Sequence, residues 1–91
     1  MPAVATTHDI APIARALGDP VRVRIVEALR ERGDEVCQCH LQPLFAISQP
    51  TLSHHLGKLV DAGLVTVARR GRWAHYAIDP AGLAALRAWL A

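Results

Sequence analysis

Ile47-Ser48-Gln49-Pro50-Thr51-Leu52-Ser53-His54-His55-Leu56-Gly57-Lys58-Leu59 is the stretch on which the reading of this 91-residue chain turns. It describes a short turn that runs into one helix with two unlike faces. The Ser48 hydroxyl is suited to accept from an orphan N–H of the first turn, and Pro50 falls in that turn, where a missing N–H costs nothing. Leu52, Leu56, Leu59 and Val60 recur at helical spacing and turn toward a core. Gln49, Thr51, Ser53, His54 and Lys58 stay outside, with no acid before Asp61. A solvated helix face ordinarily mixes Glu and Lys. This short, polar, weakly basic face suits base edges and phosphate oxygens instead, so the stretch fits either a capped surface helix or a helix that reads DNA.

Upstream, Asp34-Glu35 opens a third helix expected over residues 36–45, with Leu41, Leu44 and Phe45 as core residues and an interruption at Pro43. Residues 46–48 are the turn into the next helix, and the pair makes a helix-turn-helix. Further upstream, residues 1–7 read as a tail. A short amphipathic helix starts at His8 or Asp9, carries Ile10, Ile13, Ala14 and Leu17, and stops at Gly18. Asp19-Pro20 caps a second helix with Val21, Ile25, Val26 and Leu29 inside and Arg22, Arg24, Arg30, Glu31 and Arg32 on the solvent side.

Downstream, the recognition helix ends at Gly63. Residues 64–68 are β-branched and strand-like, residues 69–72 form a hairpin tip with Arg69, Arg70 and Arg72, and residues 73–78 return as a second strand. A two-stranded hairpin with three arginines at its tip is a wing. Asp79-Pro80 caps a last helix whose Leu83, Leu86, Trp89 and Leu90 make an apolar face too large to leave in water. The fold class is mainly α with a two-stranded β-hairpin wing: one winged helix-turn-helix domain over residues 8–91, dimeric through its first and last helices.

Composition agrees. The chain is 52% hydrophobic and only 20% charged, more apolar helix surface than one small protomer hides, which favours a dimer. Net charge is +2, so any affinity for nucleic acid rests on the clustered arginines. There is no apolar run long enough to span a bilayer and no signal-peptide pattern at the start, so a cytoplasmic protein without a membrane partner is expected. In that compartment Cys37 and Cys39 read as thiols, metal ligands or redox groups before a structural disulfide, although free cysteines are often simply buried.

Taken together, Leu17-Gly18-Asp19-Pro20-Val21-Arg22, Glu35-Val36-Cys37-Gln38-Cys39-His40-Leu41, the 47–56 segment and Ala62-Gly63-Leu64-Val65 resemble the ArsR/SmtB family of winged-helix, metal-responsive transcriptional repressors. The resemblance covers residues 10–78. It implies a homodimer that binds double-stranded operator DNA, with Gln49, Thr51, Ser53 and His54 facing the major groove and Arg69, Arg70 and Arg72 on the backbone or minor groove. It also implies release from the operator when a metal or metalloid binds, with Cys37 and Cys39 at the position where arsenic-responsive members carry Cys-x-Cys.

Thiolates are soft ligands and suit As(III), Sb(III), Cd(II) or Hg(II). Residues two apart on a regular helix point about 200° apart, so binding at this pair is expected to unwind the first turn of the third helix. Two features depart from the family pattern. Gln42 stands where some arsenic-responsive members have a third cysteine, which leaves solvent, an external thiol, another residue or His40 as third ligand. The zinc and cobalt sensors bind metal on the last helix through spaced Asp, His and Glu, and here residues 79–91 contain no His, Glu or Cys.

His54-His55 divides into one residue facing DNA and one packing, His75 and Tyr76 pair across the hairpin, and Trp73 and Trp89 read as packing anchors. No phosphate loop, carboxylate pair or nucleophile triad argues for an enzyme. The sequence therefore points to a DNA-binding repressor induced by As(III) or Sb(III) at Cys37 and Cys39. A repressor of the same fold that senses oxidants or reactive sulfur, or Cd or Zn, is the alternative. A winged helix serving only protein interaction, or a small thiol-metal carrier, follows behind these.

Overall fold

A computed structural model describes residues 10–91. The expected tail and the helix start at His8 or Asp9 lie outside the described residues. The order is α1 (Ile10–Ala16), α2 (Pro20–Arg32), β1 (Val36–Cys37), α3 (Gln38–Leu41) with a 3-10 turn over Gln42–Leu44, α4 (Gln49–Asp61), β2 (Val65–Arg70), β3 (Trp73–Ile78) and α5 (Pro80–Leu90).

Local chemistry sets most boundaries as expected. The Asp19 carboxylate accepts from the N–H groups of Val21 and Arg22 at the start of α2, and Gly33 closes that helix with a left-handed φ of 73°. Ser48 accepts from the Thr51 N–H and Asp79 from the Ala81 N–H, so α4 and α5 open on the caps read from the sequence. One core runs through the molecule, built from Ile13, Ile25, Leu29, Leu41, Leu52, Leu56, Leu59, Leu64 and Val65, all essentially without exposed surface. Removing one of these leucines costs about 2–5 kcal/mol through lost burial and the cavity left behind.

The third helix differs from expectation. Val36 and Cys37 are extended and pair antiparallel with β3, Val36 opposite Tyr76 and Cys37 opposite His75, so the wing hairpin gains a third strand in the order β1-β3-β2. β-branched Val36 is buried by that pairing, and helix begins only at Gln38. The α-helix gives way after Leu41 to the 3-10 turn that contains Pro43, and Phe45 is extended. Leu44, the last residue of that turn before the chain becomes extended at Phe45, is exposed rather than part of the core.

Other side chains depart too. Ala14 is exposed and Ala16 takes the buried place in α1. Arg22 does not lie in solvent: its Nε donates to the Ala16 carbonyl at 2.7 Å, tying α2 to the end of α1. Arg24 sits over the Phe45 ring, 5.3 Å from its centroid. α5 packs so closely on the chain before β2 that Gly82 has no room for a Cβ, which would meet the Gly63 carbonyl oxygen.

Candidate nucleic-acid interface and thiol pair

Helix α4 offers its outer face as expected, with Gln49, Thr51, Ser53, His54 and Lys58 all exposed. Its two flanks differ. Gln49, Ser53 and Gly57 line an open cleft of about 690 Å³ whose other wall is the wing, through Arg69, Arg72, Trp73 and Tyr76. Thr51 and His54 lie outside that cleft, and the Thr51 hydroxyl accepts from Ser48 Oγ at 2.9 Å, so part of its capacity goes to the cap. His55 turns inward, where Arg22 Nη1 lies 3.1 Å from its Nδ1 and Asp19 is 4.0 Å away. Burial opposes ionisation of Asp19. The N–H bonds from Arg22 and Val21 and the neighbouring His55 and Arg22 charges outweigh it and hold the carboxyl below its ordinary value.

Only Gly71 and Arg72 form the tip of the wing, since Arg69 and Arg70 belong to β2, opposite Ala74 and Trp73. The three arginines are not equivalent. Arg70 is paired with Glu35, Nη2 at 2.8 Å and Nε at 2.9 Å from one carboxylate oxygen, so an acid that stands far away in sequence reaches the wing. Arg69 and Arg72 have no ion pair among the described residues. Burial raises the Tyr76 phenol above its ordinary value, with the Arg69 cation pulling the other way. Within the protomer Trp73 and Trp89 do not anchor the core: they are 49% and 64% exposed, one on the wing and one on α5. Strand alternation turns Trp73 outward on the wing wall of the cleft, and Trp89 lies in the exposed last turn of α5.

Cys37 and Cys39 are joined sulfur to sulfur, with Cα atoms 5.1 Å apart. The divergence expected on a regular helix does not arise, because Cys37 is not helical. At φ −61° and ψ 139° it is the extended cap residue of α3, and its sulfur also accepts the Cys39 N–H at 3.2 Å. The pair therefore closes without unwinding a turn. Cys37 is buried and Cys39 faces the cleft. Among the described residues no group of three His, Cys, Asp or Glu side chains is placed to hold a metal ion. His40 is exposed on α3, and Gln42 spans the turn toward α4, donating to the Ile47 carbonyl at 2.7 Å. Once reduced, the pair supplies a thiophilic ion with two soft donors, and further ligands come from outside the pair.

Between the two cysteines sits a residue the sequence reading passed over. Gln38 Nε2 donates to Ser53 Oγ at 2.7 Å, and the Tyr76 hydroxyl donates to Gln38 Oε1 at 3.4 Å. The signal available in the sequence was its place inside the Cys-x-Cys motif. A partner 15 residues away was not visible there.

The family model described as "Bacterial regulatory protein, arsR family" matches residues 19–67, more than half of the chain. The chain belongs to the ArsR family. A putative arsenical resistance operon repressor of Halobacterium salinarum is 38% identical over 64 residues, which cover 70% of this ArsR-family chain and half of that protein. An uncharacterized HTH-type transcriptional regulator of Methanocaldococcus jannaschii is 41% identical over 68 residues, 75% of each chain. The crystal structure of an ArsR family transcriptional regulator superposes with a TM-score of 0.79 at 30% identity, covering 89% of this chain and 81% of that one. The helix order and wing are those of an ArsR-family winged helix, and members of the family are transcription regulators rather than enzymes. No helix among the described residues is long and apolar enough to cross a membrane.

Proposed function

We propose that this chain is a cytoplasmic, homodimeric repressor that binds operator DNA and is released when As(III) or Sb(III) binds Cys37 and Cys39. The observation that carries the reading is the convergence of two sulfurs at the entrance to α3, beside the helix that faces DNA. The name of the Halobacterium salinarum relative, an arsenical resistance operon repressor, points the same way. Gln49, Ser53 and His54, with a lesser part for Thr51, meet base edges in the major groove, while Arg69 and Arg72 hold phosphate. Residues 8–91 act as one domain. The exposed Trp89 and Leu90 of α5, beside α1, provide the apolar face on which two protomers join and set two recognition helices about 34 Å apart.

Inducer binding replaces oxygen ligands of the metalloid by two thiolates, the thiol protons leaving with the displaced oxygens as water. The third position falls to solvent, a small external thiol or His40. The test is a titration of the reduced protein, bound to DNA from upstream of its own gene, followed by fluorescence anisotropy. Release by As(III) and Sb(III), abolished in Cys37→Ser and Cys39→Ser, is the expected result. Release that survives in both variants refutes the site.

A second reading is favoured by the same sulfur contact: oxidation of the two thiols to a disulfide as the signal itself. It predicts release by mild peroxide with loss of two hydrogens in the mass spectrum, and none by arsenite.

A further inference from the structure

Closure of the thiol pair, by metalloid or by oxidation, has to reach the DNA face, and the sequence offers two covalent routes: forward through the 3-10 turn, or back into β1. The structure contains a third that bypasses both. Gln38 is the single residue between the two cysteines. Its amide crosses to the middle of α4 and donates to Ser53 Oγ at 2.7 Å, while its carbonyl oxygen accepts the Tyr76 hydroxyl from the wing at 3.4 Å. One side chain thus touches the two elements that face DNA, and its backbone is held on both sides by the atoms that capture the inducer.

We propose that Gln38 is the positioning residue that couples the state of the Cys37–Cys39 pair to the DNA-binding surface, acting through the Ser53 hydroxyl. This rests on the thiol-switch reading above and assigns the path by which that switch acts.

The chemistry suits the role. Ser53 has one O–H to donate and a limited capacity to accept. When Gln38 donates to it, the Ser53 hydroxyl is oriented from within the protein, and its freedom to turn toward a base or phosphate is curtailed. The described geometry is that of the closed pair, in which Cys37 caps the first turn of α3 and Cys39 is drawn back on it. That closure presents Gln38 at the first helical position, aimed at α4. Opening the pair removes the constraint, Gln38 releases Ser53, and α4 regains a DNA-competent face. A ligand shifts such an equilibrium only by its differential affinity for the two states, and here the difference is transmitted by one neutral hydrogen bond. Neutral bonds of this kind contribute about 0.5–1.5 kcal/mol, so the bond accounts for about a two- to tenfold share of the change in DNA affinity.

The experiment measures a coupling ratio: the Kd for operator DNA with the pair closed, divided by the Kd with it open. Closing is done in parallel with arsenite and with the dithiol oxidant diamide, on wild type, Gln38→Met, Ser53→Ala and the double variant. Methionine keeps the length of the side chain and the helix but neither donates nor offers an amide oxygen. A direct titration of arsenite against each protein checks that the inducer site itself is intact.

The expected result is an unchanged arsenite affinity in Gln38→Met, a coupling ratio reduced about two- to tenfold, and no further reduction in the double variant beyond Ser53→Ala alone. A wild-type ratio in Gln38→Met, with release otherwise normal, overturns the relay and leaves the thiol switch standing. Independent, multiplying effects of the two substitutions also overturn it. A wild-type protein whose DNA affinity responds to neither arsenite nor diamide overturns the switch and the relay together. If Gln38→Met binds arsenite poorly, Gln38→Glu serves as the second variant: its carboxylate accepts from Ser53 but has no N–H to donate. Retention of the full ratio there refutes a role for the amide donor.

Discussion

Replacing Arg69 and Arg72 together by alanine measures how much of the grip on DNA comes from free charge on the wing. Arg70 is engaged with Glu35 through two of its nitrogens, so it brings little uncompensated charge to a phosphate, whereas Arg69 and Arg72 are exposed on the cleft wall. Each phosphate neutralised on duplex DNA contributes about −0.9 to the slope of log K against log salt, so losing two side chains from each protomer of a dimer flattens the slope by up to about 3.6. Between 50 and 200 mM salt that removes roughly two orders of magnitude from the wild-type loss of affinity. Phosphate contacts carry no base identity, so the weakening at low salt is equal on the operator and on a scrambled duplex. The assay is fluorescence anisotropy on both duplexes across a salt series, with Arg70→Ala as the comparison. Its slope stays near wild type, and because the Glu35 pair is exposed it changes stability by less than about 1 kcal/mol. A double variant with the wild-type slope, or an Arg70→Ala protein with the larger change, refutes the division of labour among the three arginines.

Two further outcomes follow from packing and burial. Gly82→Ala puts a Cβ against backbone alone, 2.9 Å from the Gly63 carbonyl carbon and 3.0 Å from Leu64 Cα, so no rotamer change relieves it. Overpacking of that kind costs about 1–3 kcal/mol, read as a fall in Tm of about 4–8 °C for each kcal/mol, while Gly57→Ala, with nothing within 4 Å, leaves Tm unchanged or higher. An unaltered Tm in Gly82→Ala counts against the close approach of α5. Tyr76 is the single tyrosine of the chain, so its ionisation is directly visible in the ultraviolet. Burial favours the neutral phenol in the fold, so the native midpoint lies above 10.0, returns toward 10.0 in urea, and stability declines as pH rises past that value; a native midpoint at or below 10.0 removes the argument.

Side chains with local partners were the legible ones. Asp19, Ser48 and Asp79 cap helices within three residues of themselves, and the leucine spacing of α4 needs nothing beyond its own period. Strand β1 was not legible, because two residues carry no period and Val36 becomes a strand only by meeting Tyr76, 40 positions on. Cys37 and Cys39 diverge on a regular helix, but that distant pairing makes Cys37 extended, and the two sulfurs meet. Arg22 read as a solvated charge and Arg70 as a free DNA contact for the same reason: their partners, Ala16, His55 and Glu35, lie outside their own elements. The cleft residues Gln49 and Ser53 were found from one helix face, whereas Gln38, Trp73 and Tyr76, which complete the cleft, come from segments that only folding brings together.

The pairing of β1 with β3 has a consequence for how such a regulator diversifies. The segment that carries the thiols is stitched to the wing at Val36 and Cys37 by main-chain hydrogen bonds, which are indifferent to side-chain identity, and the side chains at 39, 40 and 42 are not among the buried core residues. New ligand chemistry can be written into those positions while the reader of DNA is inherited intact. The strand works as a socket with a fixed backbone and exchangeable contacts, so a change of signal needs only a few substitutions in one short segment and no redesign of the fold.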